Sequence, residues 1–271
     1  MTVEDFRVKP EDFVKDPKKE DISSGYGCVS FYTQKETGLK CVGKRTKESL
    51  FDEKMKLSFD REVEALINCR HPTIVPFVGF AEVENFGHIY LEEVKNGSLE
   101  SFLQHIREGD TDYKLTDTDK FIISYGVAIS MEYLHGKNRI HRDLKAANIL
   151  LDDHLYPLLS DFGTSKQLDD SAIVNLTTPQ TTVIIMAPEF IEDPEQFSNS
   201  LPIDVYSYAI TIFELWTLQR PFSNLKSFYQ INNAVIMGQR PEIPISMPDP
   251  WKKLIEKCWD GNPEIRYTFK E

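Results

Sequence analysis

His141-Arg142-Asp143-Leu144-Lys145-Ala146-Ala147-Asn148, with Asp161-Phe162-Gly163 further on, is the stretch that decides how this chain reads. Asn148 lies five residues after Asp143, and Asp161 lies eighteen after it. An acid, a carboxamide and a second acid at this spacing suit one division of labour. Asp143 accepts a proton from a hydroxyl, while Asn148 and Asp161 hold magnesium against a triphosphate. An octapeptide with a spaced tripeptide is a far stronger signal than a lone glycine motif. It outweighs the bland alternative, a buried His-Asp turn with no chemistry.

Composition bounds the rest. The 271 residues are 41% hydrophobic and 27% charged, enough for one large domain or two lobes around a sizeable core. A net charge of −12 argues against general binding to nucleic acid or an anionic membrane. The acidic start, Met1-Thr2-Val3-Glu4-Asp5, is not a signal peptide. The longest charge-free apolar stretch, Phe121 to Met131, falls short of the ~18–20 residues of a membrane span. Cys28, Cys41, Cys69 and Cys258 form no C-x-x-C pair and read as reduced thiols of a cytoplasmic or nuclear protein. The sequons at Asn96 and Asn175 are accidental without a secretory signal.

Along the chain there is no repeat. The first twenty residues, charged and carrying Pro10 and Pro17, look like a loose lead-in. Ile22 to Lys44 suggests short strands around a Gly25/Gly27 turn and a Thr37-Gly38 turn. Met55, Phe59, Val63, Leu66 and Ile67 recur at helical spacing until His71-Pro72. Ile74 to Val78 and His88 to Leu91 read as two more strands. Beyond Gly97 the patterns turn helical, at Phe121–Leu134, Val205–Trp216, Phe228–Met237 and Trp251–Trp259. A strand-rich part preceding a larger helical part is α+β in two lobes, with a ligand cleft expected between them.

The opening motif resembles the signature of the eukaryotic protein kinase family, serine/threonine type. The resemblance is closest to the tyrosine-kinase-like group and covers residues 13–271, after a lead-in of 1–12. It implies a bilobal fold with a small antiparallel-sheet lobe over about 13–94 and a larger, mainly helical lobe over about 95–271. It also implies ATP and magnesium as cofactors. Cys41-Val42-Gly43-Lys44 falls where the family carries its strand lysine, so Lys44 would meet the ATP phosphates and Glu62 would hold it by an ion pair. Glu64 would face water. Taken alone, Lys44 reads more readily as a solvated surface charge.

The nucleotide roof departs from the pattern. Ile22-Ser23-Ser24-Gly25-Tyr26-Gly27-Cys28-Val29 aligns with G-x-G-x-x-G-x-V, so Ile22 and Ser24 replace two glycines and Gly27 remains. Side chains there restrict close approach, so a weakened clamp is expected. Val42 replaces a usual alanine. Leu91 would be the gatekeeper, Glu92 to Val94 the hinge, with Val29, Val42 and Leu150 around the adenine and Ser98 at the slot's edge.

Met186-Ala187-Pro188-Glu189 closes an activation segment of ordinary length 28 residues after Asp161. The resemblance pairs Glu189 with Arg266 and has Asp204 anchor the catalytic loop. Lys145 points to serine/threonine specificity, reaching the transferred phosphate and Thr182, although Thr181-Thr182-Val183-Ile184-Ile185 departs from the usual platform. Arg142 invites a phosphate on the segment, with Ser171, Thr177, Thr178 and Thr181 as candidates. The chain stops at Glu271, where the family has one more helix. Either that helix is lost or the chain is a piece of a longer protein, and an incomplete C-terminal helix with exposed apolar surface beneath Trp259 and Phe269 is expected. The function implied is phosphoryl transfer from ATP to protein serine/threonine hydroxyls in signalling. The alternatives are a nucleotide-binding or scaffolding pseudokinase, suggested by Ile22, Ser24 and Val42, and a small-molecule kinase, which would give Glu189, Asp204 and Arg266 no reason to occur together.

Overall fold

The computed structural model describes residues 2–23, 27–168 and 183–271. Its first part is a six-stranded sheet. β1 (Phe13–Lys15) and β2 (Ile22–Ser23) both pair with β3 (Gly27–Gln34), which pairs in turn with β4 (Lys40–Thr46). Helix α1 (Glu53–Asn68) follows, then β5 (Phe77–Val83) and β6 (Phe86–Glu92), all strands antiparallel in the order β1-β3-β4-β6-β5. Asp52 caps α1 by accepting from the Met55 amide at 2.8 Å. Phe59, Val63 and Leu66, one face at helical spacing, bury the helix against the sheet.

Two expectations need correcting. The strands expected at Ile74–Val78 and His88–Leu91 run from Phe77 to Val83 and from Phe86 to Glu92. Pro76 has no N–H to give a ladder, and Ile74 makes one isolated bridge to Leu159 instead. The turn between the strands is Glu84-Asn85, both at positive φ (49° and 67°), which suits a tight hairpin. Nor is the start of the chain a loose lead-in. Val3–Phe6 and Pro10–Asp12 form 3-10 turns, and Phe6 is buried, its ring 5.7 Å from that of Phe77 with Arg70 above it at 4.4 Å. The Val8 amide donates to Phe80 O at 2.9 Å, and a Cβ on Gly79 would lie 2.4 Å from Val8 Cγ1. Burying one Phe stabilises this segment by roughly 1.5–3 kcal/mol.

The second part is mainly helical: α2 (Leu99–Arg107) and α3 (Asp117–Gly136), then the short strands β7 (Arg139–Ile140), β8 (Ile149–Leu151), β9 (Pro157–Leu159) and β10 (Lys166–Gln167). There follow α4 (Pro188–Glu192), α5 (Pro194–Phe197), α6 (Pro202–Thr217), α7 (Phe228–Ile236) and α8 (Asp249–Cys258). The α+β, two-lobed architecture expected from the sequence is present. Helix α2, passed over in the sequence, is capped by Ser98, whose Oγ accepts from the Ser101 amide. Thr116 and Asp119 form a capping box at the start of α3. Helix α6 is buried almost all round and is the axis of this part. Trp259 is buried against Phe213, and Phe269, half-buried, packs on His135 and Tyr208, while Ile265 and Tyr267 stay exposed, so the apolar surface expected there is only partly covered. Among the described residues, no helix is long and apolar enough to cross a membrane.

Candidate active site

Strand register aims Lys44 into the space between sheet and helices. Val29 pairs with Lys44, Phe31 with Val42, and Val42 with Leu91, so these side chains share one sheet face by the two-residue repeat. Lys44 Nζ lies 3.1 Å from Glu62 Oε1, on the inner face of α1, and 3.5 Å from Asp161 Oδ1. Glu64 is exposed, on the far side of that helix. Burial works against the Lys44 ammonium, but Asp161 and Glu62 outweigh it and hold its pKa well above the ordinary value. Burial likewise opposes the Asp161 carboxylate, and Lys44 and His141 overcome it, so Asp161 titrates below the usual range. Both shifts favour the charged pair.

Asp161 sits at φ 64°, and the chain then turns Phe162 into full burial 5.5 Å from the His141 ring. Ser58 Oγ on α1 donates to Gly163 O at 3.4 Å, a link that residue type alone did not signal. Helix α1, Lys44 and the Asp161 turn are thereby one unit.

The loop carrying Asp143 is fixed from beneath. Asp204, on buried α6, accepts from the His141 amide at 2.9 Å and the Arg142 amide at 2.8 Å, with His135 Nε2 at 2.9 Å. Burial raises the Asp204 carboxyl, yet these partners hold its pKa below the ordinary value. Arg142 stands at φ 65°, a strained conformation these bonds sustain. Lys145 Nζ is 2.8 Å from Asp143 Oδ2. Asn148 Nδ2 donates to Asp143 O at 2.7 Å and to Asp143 Oδ2 at 3.0 Å. An acid is thus held between a cation and a carboxamide, facing the acid–lysine pair above.

Other site residues fall as follows. Leu91 is buried behind Val42, and Leu150 bridges to Ser98. Past Leu91 the hinge is held by Glu92 N to Pro76 O at 3.0 Å, Glu93 N to Lys40 O at 2.9 Å and Gly97 N to Val94 O at 3.2 Å. Ile22 and Ser23 form β2 on the roof, and a Cβ on Gly27 would lie 2.0 Å from Arg45 O. Close approach of β4 therefore demands that glycine. Ser24, Gly25 and Tyr26 lie outside the described residues, as do Ser171, Thr177, Thr178, Thr181 and Thr182. Arg142, expected to await a phosphate, donates through Nε to Thr164 O at 2.7 Å and also through its terminal nitrogen.

Glu189 and Arg266 form a buried two-pronged ion pair at 2.7 and 2.8 Å. Arg266 also lies 5.2 Å from the Tyr206 ring, whose other neighbour is Arg240 at 5.1 Å. Arg240 was not visible in the sequence as part of this assembly. It is fixed by Nε donating to Trp259 O at 2.9 Å, a contact no local pattern announces.

Residues 22–271 match the protein tyrosine and serine/threonine kinase family. The chain belongs to that family. A serine/threonine-protein kinase of Arabidopsis thaliana, STY17, is 32% identical over 94% of this kinase chain and 44% of its own length. A dual specificity protein kinase of Dictyostelium discoideum, splA, is 34% identical over 84% of the chain and 10% of its own length. A second from that organism, shkB, is 30% identical over 92% and 37%. The kinase chain spans less than half the length of each of these relatives.

Proposed function

We propose that this chain is an active protein kinase, transferring the γ-phosphoryl of ATP to serine and threonine hydroxyls of proteins in signalling. The observation that carries the reading is the assembled cleft: Lys44 between Glu62 and Asp161 above, Asp143 between Lys145 and Asn148 below. Asp143 orients the acceptor hydroxyl and takes its proton as the oxygen attacks phosphorus. Lys145 spreads the charge of the moving phosphoryl, and Lys44, set by Glu62, holds the non-transferred phosphates. Val29, Val42, Leu91 and Leu150 would enclose the adenine, with hinge backbone of Glu92 to Val94 along its edge and Ser98 at the rim.

The residues present fit magnesium. Asn148 spends its Nδ2 on Asp143, which leaves its Oδ1 as a hard oxygen donor, and Asp161 is ionised. Two such side chains with phosphate oxygens are the usual magnesium set, so a cluster of three protein ligands is not required. Asn148 and Asp161 would hold the magnesium, which would supply charge neutralisation at the phosphate oxygens.

The serine/threonine preference rests on Lys145 and on relatives named serine/threonine or dual specificity kinases. Phosphoamino-acid analysis of a labelled generic basic protein tests it: phosphoserine and phosphothreonine are expected, and phosphotyrosine alone would refute the preference. The reading also keeps a phosphate on the activation segment. Intact mass after incubation with magnesium and ATP should gain phosphate between Thr164 and Thr182, and none there would end that idea.

A further inference from the structure

The loop between β1 and β2 has a conformation that nucleotide chemistry as described above does not use. Asp16 N donates to Phe31 O at 2.8 Å, and Lys15 Nζ binds Asp21 at 2.7 Å, so residues 16–21 arch across β3. The arch delivers Lys19. Its Nζ forms an ion pair with the Glu93 carboxylate and lies 4.6 Å from the centre of the Phe31 ring. Phe31 pairs with Val42 and shares the cleft face with Val29 and Lys44. Moving along β4 from Lys44 to Lys40 leads away from the phosphate end and to the hinge, where Glu93 N donates to Lys40 O at 2.9 Å. One ammonium therefore joins the roof strand to the hinge at the mouth of the cleft.

We propose that Lys19 is a positioning residue for the nucleotide, pinning the roof to the hinge and slowing the nucleotide's departure. The inference rests on the ATP-binding reading above and deepens it. By the resemblance, Ile22 and Ser24 stand where the family carries two glycines, which leads to the expectation of a weakened phosphate clamp. A clamp weakened at the phosphate end gains most from a tether at the adenine end. Glu93 is 19% exposed and Lys19 39%, so the pair is only partly screened by water, and the Phe31 ring adds a cation–π attraction. Lys19 acts through Glu93 and Phe31 and need not touch the reacting atoms.

The test is dissociation of a fluorescent N-methylanthraniloyl-ADP with magnesium, followed by stopped flow after mixing with excess ATP. Lys19→Ala is expected to release the nucleotide roughly three- to tenfold faster, with Lys19→Arg within about twofold of wild type. Raising salt from about 50 to about 500 mM should narrow the gap, because an exposed pair is screened. Lys18→Ala, which removes the neighbouring exposed lysine of the same arch, is the control for lost loop charge and should leave the rate unchanged. An unchanged rate in Lys19→Ala, a slower one, or an equal rise in Lys18→Ala would overturn the proposal while leaving nucleotide binding intact. Failure of the wild type to bind the probe at all would overturn the ATP reading as well.

Discussion

Lys44 is where chemistry and burial meet most sharply. A cation held between two carboxylates should be indispensable for positioning phosphate, so Lys44→Met is expected to cut phosphoryl transfer by about 100- to 1,000-fold, read in steady-state kinetics. A loss under about tenfold would remove Lys44 from the reaction. Tyr206 offers the opposite kind of residue. Among the described residues its buried hydroxyl has no hydrogen-bond partner, and burial pushes its pKa up to about 12. Tyr206→Phe should therefore be neutral or stabilising, by up to ~2 kcal/mol in urea unfolding, since an unsatisfied polar group is removed while the ring keeps its place between Arg240 and Arg266. At this scale the sequence was most legible. Asp143, Asn148 and Asp161 sit at spacings that suit phosphoryl transfer, and the family resemblance added Lys44 and Glu62. Arg240 has no such spacing to betray it, because its partners are a ring on α6 and the backbone carbonyls of Val235, Gln239 and Trp259.

Elements were legible where one period held for long enough. Helix α1 follows from five apolar residues at helical spacing, and α6 from an apolar run too long for a strand. The β5–β6 hairpin was misjudged by several residues, because its turn is Glu84-Asn85 rather than a glycine pair and Pro76 interrupts the apolar run before it. The N-terminal turns were missed because a single phenylalanine, Phe6, anchors a charged segment, and one residue makes no pattern. The Glu189–Arg266 pair gives the prediction proper to this scale. Glu189→Gln leaves Arg266 buried without its carboxylate partner and should destabilise the fold by roughly 3–5 kcal/mol, read as a lower urea midpoint. A change below ~1 kcal/mol would make the pair incidental.

For the whole molecule, acid should act through two buried carboxylates, Asp161 across the two parts and Asp204 beneath the loop that carries Asp143. Asp204 and Asp161 both titrate below the ordinary carboxyl value of 3.8 when folded. A depressed folded pKa contributes stability that is present above the unfolded value and lost as pH falls through the folded one. Unfolding free energy should thus drop on acidification below about pH 4, and Asp204→Asn should flatten that limb. An equal acid slope in wild type and variant would assign the loss to other groups. The same carboxylates tie the catalytic loop to α6 and Lys44 to the Asp161 turn, so stability and a poised cleft depend on shared contacts.

The central claim is that the cleft transfers phosphate rather than merely presenting a kinase-shaped surface. Incorporation of radiolabelled γ-phosphate from magnesium ATP into a generic basic protein, compared between wild type and Asp143→Asn, tests it most directly. The account predicts clear incorporation by the wild type and at least a ~100-fold loss in the variant, which keeps the shape but not the proton acceptor. Equal and negligible signals from the two proteins would contradict it and leave a scaffold.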